Sequence, residues 1–115
     1  MAIKSRYLFV VSMDVDADKE GLFNEVYDTE HVPNLLQVPG VHAVARMEGE
    51  PFVMSIGGQE KSVAQDGAHY SALYEIDGPH VLVSAEWAKA SERGRWPAEV
   101  RPFTRNRRHA LYRVR

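Results

Sequence analysis

The chain has 115 residues, 44% of them hydrophobic, which is enough for one modest core and predicts a single domain over residues 1–115. Its formal net charge of −2 gives no reason to expect nucleic acid as a partner, because nucleic-acid-binding domains normally present a basic surface. The absence of cysteine excludes disulfides, thiolate metal sites and cysteine nucleophiles.

The first apolar run extends from Tyr7 to Val15. It is interrupted by Asp14 and followed by Asp16, so it indicates neither a membrane span nor a signal peptide. We therefore expect a cytoplasmic protein with no membrane partner. The run is rich in β-branched and aromatic residues, which predicts the first strand.

A helix that breaks is predicted after this strand. Acidic residues suit its N-terminus, and an apolar stripe between Leu22 and Tyr27 recurs at helical spacing. Pro33 lacks a backbone N–H and disfavours helical geometry in the residue before it. The helix should therefore break or kink near His31, with a short second turn from Pro33 to Gln37.

The rest of the chain predicts three further strands and a second helix. Val41 to Glu48 alternates as a strand does, and residues 49–67 form a long hairpin insertion in which a short strand could lie. His69 to Asp77 is the third strand. The second helix runs from Pro79 to about Glu92, and Arg105 to Val114 is the last strand.

Two β-α-β halves predict an α+β, ferredoxin-like βαββαβ fold, in which a four-stranded antiparallel sheet carries two helices on one face. The first strand is apolar on both sides, so the uncovered face of this sheet would expose a large apolar patch. A homodimer that pairs two such faces would cover it.

One segment resembles a known family. Tyr27-Asp28-Thr29-Glu30-His31-Val32-Pro33-Asn34-Leu35-Leu36-Gln37-Val38-Pro39-Gly40-Val41, followed by Ala45-Arg46, resembles the dimeric α+β-barrel superfamily in its EthD-like branch. The stretches Ala72 to Ile76 and Arg107 to Tyr112 are similar to the same branch. The segment formed by residues 49–67 is longer than the resemblance leads us to expect.

The resemblance implies that two sheets face each other across a two-fold axis and enclose a barrel. It also implies a pocket in each subunit, between the sheet and the helices. Members include cofactor-independent monooxygenases, polyketide cyclases, lactone isomerases and haem-handling proteins, so the fold does not select one chemistry.

Three residues around Pro33 are candidates for catalysis. His31 titrates near neutral pH and could lean into a cavity, or it could bond to backbone groups freed at the break. Asp28 could orient His31, although an exposed helix carboxylate is more common. Glu30 would face the core of a continued helix, so we expect a structural ion pair with Arg46 or, alternatively, a catalytic acid.

Other side chains could bind a substrate or serve the structure alone. Arg46, His69, Tyr74 and Trp96 could line a pocket for an aromatic or polyketide-like molecule, the alternative for the rings being core packing. Arginines gather near the C-terminus, where charge on an edge strand discourages aggregation. They are Arg101, Arg105, Arg107, Arg108, Arg113 and Arg115. The five histidines include no HxH or HExxH spacing, so no metal site is predicted.

These residues, with the reaction types that the resemblance implies, give a first hypothesis of a cofactor-independent small-molecule enzyme of the monooxygenase, cyclase or isomerase type. In it, His31 moves a proton on an enolisable or phenolic substrate. A second hypothesis is a non-catalytic dimeric protein that binds or senses a small apolar or aromatic ligand. A third is haem handling. The sequence leaves open whether the chain is an enzyme.

Overall fold

Six strands appear in the computed structural model of the protein, which describes residue 3 and residues 5–115. In chain order they are β1 (Tyr7–Val15), β2 (Val41–Glu48), β3 (Phe52–Ile56), β4 (Gln59–Val63), β5 (Tyr70–Ile76) and β6 (Thr104–Arg113). Four of them form an antiparallel sheet in the order β2-β5-β1-β6, and β3 pairs with β4 as a separate hairpin. Since the helices cover one face of this sheet, the predicted ferredoxin-like α+β fold is confirmed.

Two helical segments connect the strands. The first comprises a 3₁₀ turn (Ala17–Lys19), α1 (Glu20–Val26), a π-helical segment (Tyr27–His31) and α2 (Val32–Leu36). The second comprises a 3₁₀ turn (Pro79–Val83), α3 (Ala85–Ala90), a second π-helical segment (Trp96–Val100) and a 3₁₀ turn (Arg101–Phe103). Within the described residues, no helix is long and apolar enough to cross a membrane.

The core lies between the helices and one face of the sheet. Alternate residues of β1 and β5 point into it, because side chains of a strand alternate between faces. On β1 the inward-pointing residues are Phe9, Val11 and Met13. Phe23 and Val26 of the first helical segment pack against them and are fully buried. Burial of one such side chain contributes about 1.5–3 kcal/mol, so this layer fixes the position of α1 on the sheet.

The expected helix break near His31 is instead a widened turn. The N–H of Val32 bonds to the carbonyl of Tyr27, five residues earlier, and both His31 and Val32 keep helical dihedral angles. Pro33 then falls in the first turn of α2, where its missing N–H costs little. The π-helical turn therefore accommodates the proline without interrupting the helix.

The expected second helix is also divided. Ser84 has an extended backbone, and its hydroxyl oxygen accepts a hydrogen bond from the N–H of Trp87 at 3.1 Å. This is the geometry of a helix N-cap, so α3 begins after Ser84 and a 3₁₀ turn precedes it. The stretch after α3, between the predicted second helix and the last strand, contains the second π-helical segment.

Residues 49–67 contain a hairpin arm, defined here as Phe52–Val63, made of β3 and β4. Gly57 and Gly58 form its two-residue tip with φ of 61° and 81°, as a tight hairpin of this kind requires. Every residue of β3 is exposed. The radius of gyration is 15.9 Å, above the value of about 13 Å for a compact domain of this length, so the molecule is extended.

Candidate functional site

A cavity of about 130 Å³ lies between the sheet and the helical segments. Phe9, Val11 and Met13 of β1 and Tyr74 of β5 line its sheet side. Trp87 of α3 closes one wall, with its ring centroid 5.9 Å from that of Phe9 in an edge-to-face arrangement. A dry apolar cavity of about 150 Å³ can hold a benzene molecule. The space here therefore suits about one aromatic ring.

His31 lines this cavity from the end of the first π-helical segment. Its side chain is buried, with 6% of the residue's surface exposed, and its ring stacks on Trp96 at a centroid distance of 4.3 Å. Burial, together with the positive charges of Arg101 and Arg107, lowers the pKa of His31 to about 4. The imidazole is consequently neutral at pH 7.

The Nδ1 atom of His31 is buried and has no hydrogen-bond partner among the described residues. Buried polar atoms are almost always paired, because leaving one unpaired costs about 1–3 kcal/mol. An unpaired nitrogen of this kind marks His31 as a candidate functional residue.

Two tyrosines form a buried hydroxyl pair in the same cavity. The Oη atoms of Tyr27 and Tyr74 lie 3.1 Å apart, which is hydrogen-bond distance. Burial raises the pKa of Tyr27, and it raises that of Tyr74 well above the ordinary value, so both phenols stay protonated. One hydroxyl of the pair has a proton left to offer to a ligand.

The remaining side of the cavity is basic. Arg101, Arg107 and His109 line it, together with Ser91. Arg101 is held by two hydrogen bonds to the carboxylate of Glu92 and by one from its Nη2 to the carbonyl of Ser91 at 3.0 Å. Burial lowers the pKa of His109, and the neighbouring Arg107 lowers it too. The side chains at this edge therefore place positive charge beside neutral imidazoles.

Asp28 does not orient His31. Its Oδ1 accepts a hydrogen bond of 2.9 Å from Nη1 of Arg46, on the outer side of the helix. The same guanidinium donates from Nη2 to Asn24 and lies over the ring of Tyr27, 4.5 Å from its centroid. Arg46 thus braces the helix against β2 and lies outside the cavity that His31 lines.

The expected ion pair between Glu30 and Arg46 is wrong. Glu30 bonds instead to Arg95, accepting from its Nε at 2.6 Å and from its backbone N–H at 2.9 Å. The π-helical turn rotates Glu30 away from the core, so its charge faces the loop before Trp96. These bonds tie the first π-helical segment to the second and hold His31 and Trp96 together.

His69 lies apart from the cavity. Its ring Nε2 donates a hydrogen bond to the carboxylate of Glu48 at 3.1 Å, and its backbone N–H donates to Oδ1 of Asp14 at 2.8 Å. Both contacts are at the end of the sheet near the hairpin arm. Of the candidates taken from the sequence, the cavity brings together only His31, Tyr74 and Trp96.

Sequence reasoning missed several lining residues. Tyr27 was assigned to an apolar stripe, and Arg101 and Arg107 to an edge that resists aggregation. His109 stacks on Phe9 at 6.0 Å, although its strand pattern gave no sign of which face it occupies. The available signal was the position of these basic residues next to the last strand, which lies beside β1 in any ferredoxin-like sheet. No group of three or more metal-binding side chains occurs within the described ranges.

The fold and the cavity together define a ferredoxin-like α+β domain with a pocket between sheet and helices. The structure is similar to the crystal structure of an EthD family protein from Bacillus halodurans C-125, with a TM-score of 0.57. The two chains are 12% identical, and the match covers 95% of this chain and 99% of the other. No family model matches the sequence, and a comparison with curated proteins gave no match. The chain therefore has an EthD-like fold.

Proposed function

We propose that the chain is a cofactor-independent small-molecule enzyme of the monooxygenase, cyclase or isomerase type. Its substrate is an aromatic molecule with an enolisable or phenolic group, and His31 moves a proton on it. The observation that carries this proposal is the buried, neutral imidazole of His31, whose side chain lines the cavity beside the Tyr27–Tyr74 hydroxyl pair.

The surroundings of His31 keep its imidazole neutral before the reaction, and the anion that forms on the substrate offsets the arginine charges that oppose its protonation. Neutral imidazole accepts a proton from the substrate, and the electron pair of the broken C–H or O–H bond stays on the substrate as an enolate or phenolate. Arg101 and Arg107 stabilise that developing oxygen charge, and the Tyr27–Tyr74 hydroxyl pair can donate to it. General acid-base help of this kind contributes about a hundredfold to ten-thousandfold in rate.

Phenylacetone, a neutral ketone with one aromatic ring, provides a direct test. We expect the protein to accelerate hydrogen-deuterium exchange of its acidic C–H protons, followed by NMR in D₂O at neutral pH. The exchange rate that the protein adds should be about a hundredfold lower for the His31→Gln variant than for the wild type. His69→Gln, which changes an exposed histidine outside the cavity, is the control and should retain the full rate. Equal exchange by the wild type and His31→Gln would contradict the proposal.

A non-catalytic ligand-binding or sensing protein is the second candidate. The aromatic lining favours this candidate, because such side chains bind a ligand by packing against it and do not react with it. The lining includes Phe9, Tyr74, Trp87 and Trp96. This candidate predicts that native mass spectrometry finds a co-purified small molecule and that no exchange is accelerated. The cavity of about 130 Å³ is below the range of about 300–1,000 Å³ that accommodates drug-sized ligands, which favours a small ligand over haem.

We also propose that two copies of the chain pair through the sheet face that carries no helix. Leu8 and Val10 of β1 lie on that face, and Leu73 and Ala110 stand beside Val10 on the neighbouring strands. These side chains are only partly buried within one chain. A contiguous apolar surface of this kind is typical of a protein interface.

A further inference from the structure

The charge around the cavity is one-sided. Two arginines, Arg101 and Arg107, line it, while no carboxylate does so within the described part of the chain. The nearby carboxylate of Glu92 is already engaged by Arg101. Arg107 has a single long hydrogen bond, from its Nη1 to the hydroxyl of Thr104 at 3.5 Å, and no carboxylate within salt-bridge distance in the described residues.

The positive field reaches the interior of the cavity. Arg101 and Arg107 both oppose protonation of His31, and Arg107 opposes protonation of His109. Glu92 acts on His31 in the opposite direction but more weakly than either arginine. Such a field opposes a cationic ligand and favours an anionic one, because unlike charges attract and like charges repel.

The size and lining of the cavity restrict the ligand further. Its volume of about 130 Å³ suits about one ring, and three aromatic side chains that pack on one another at right-angled or tilted orientations line it. They are Phe9, Tyr74 and Trp87. Edge-to-face packing of this type favours a flat aromatic guest over an aliphatic one.

We infer that the ligand of this cavity is a single-ring aromatic compound that carries one anionic oxygen group, either a carboxylate or a phenolate. The ring of the ligand packs against Phe9, Tyr74 and Trp87. Its anionic oxygens accept hydrogen bonds from the planar guanidinium of Arg107, which can donate two of them in parallel. Arg101 adds charge at the same edge while it remains bonded to Glu92. This inference rests on the proposed use of the cavity as a ligand site and adds the charge class of the ligand.

Benzoate and benzamide distinguish charge from shape, because the two have nearly the same size and differ in charge. By isothermal titration calorimetry at low salt, we expect benzoate to bind at least tenfold more tightly than benzamide. The ratio of the two dissociation constants, benzamide over benzoate, should fall close to one in Arg107→Gln. Arg107→Lys should keep part of the preference for benzoate. Arg105→Gln is the matched control, since Arg105 lies two residues away on β6, pairs with Asp16 and does not line the cavity.

The outcomes separate this inference from the proposed function. Equal binding of benzoate and benzamide, or a benzoate preference that survives in Arg107→Gln, would overturn the anionic class and leave the cavity as a ligand site. If neither compound binds, the inference fails, and exchange of phenylacetone then shows independently whether the site accepts a neutral ring. Tighter binding of cyclohexanecarboxylate than of benzoate would overturn the requirement for an aromatic ring.

Discussion

His31 combines two properties that rarely occur together in one side chain. It is buried with its ring stacked on Trp96, and one of its nitrogens has no partner among the described residues. A histidine that serves packing alone normally bonds through both nitrogens or exposes one to water. Its surroundings keep it neutral, which is the protonation state that a proton acceptor needs before the reaction begins.

The lowered pKa of His31 predicts a pH dependence of stability. The pKa of His31 falls from 6.5 to about 4 on folding. Between these two pH values the unfolded chain therefore binds a proton at His31 that the folded chain does not bind. The contribution of neutral His31 to the free energy of unfolding is therefore fully present above pH 6.5 and declines as the pH falls towards 4. Between pH 7 and pH 4 the wild type should lose about 3 kcal/mol more than His31→Gln does.

Urea denaturation of both proteins across this range measures the difference. Other groups that titrate in the same window act in both proteins, so they cancel in the comparison. Parallel stability curves for the wild type and His31→Gln would show that folding leaves the pKa of His31 near 6.5.

The limit of sequence reasoning at the residue scale is clear from Glu30. On a regular helix it faces the core, so a partner on the neighbouring strand was the natural expectation. Its true partner, Arg95, is 65 positions away and lies in the loop before Trp96. Contacts across such a distance depend on how the helical segments pack, and no local pattern of one sequence encodes them.

At the scale of elements, the strands were the most predictable part of the chain. β1 and β2 were predicted with the bounds that the structure has, because their side chains alternate on a half-buried surface. The two π-helical segments were not predicted. A π-helical turn has no marked sequence pattern and forms here where tertiary contacts of Tyr27 and Trp96 compensate for its weaker geometry.

The hairpin arm has an apolar side that one chain leaves uncovered. Phe52, Met54 and Ile56 share this side, and the register places Val63 next to Phe52. An isolated two-stranded hairpin is marginally stable in water. We therefore expect the second copy of the proposed dimer to cover this side.

The arm gives a prediction about that dimer. Replacing Phe52 and Met54 together by serine should raise the dimer dissociation constant by about tenfold or more, because burial of each side chain contributes about 1.5–3 kcal/mol. Analytical ultracentrifugation over a dilution series measures this constant. Val53→Ser is the control, since Val53 is 61% exposed on the other side of the arm. An unchanged constant in the double variant would place the arm outside the interface.

At the scale of the whole molecule, the open face of the sheet is the feature that a single chain does not account for. The sequence already indicated an apolar surface on both sides of the first strand, and the structure puts helices on only one of them. What the sequence did not determine is which of the two alternating sets of β6 residues faces the helices, because alternation alone is symmetric.

A charge on this face should separate the two copies. Wild-type protein is expected at twice the 13.0 kDa of one chain by light scattering coupled to size-exclusion chromatography. Val10→Glu places a carboxylate in the middle of the face, opposite Leu73 and Ala110, and should give the mass of one chain. Val83→Glu, at a position that is 85% exposed on a 3₁₀ turn, should keep the wild-type mass. A wild-type mass of 13.0 kDa would exclude the proposed dimer under these conditions.

The π-helical turn before Pro33 has one more consequence. A regular helix through the same residues would direct Glu30 inwards and leave His31 at the margin, whereas the wider turn reverses the two. The backbone thereby decides whether the interior holds an acid or a base, with both side chains already present in adjacent positions. A change in the chemistry of this cavity needs no new residue, only a change in the hydrogen-bonding pattern of one helical turn.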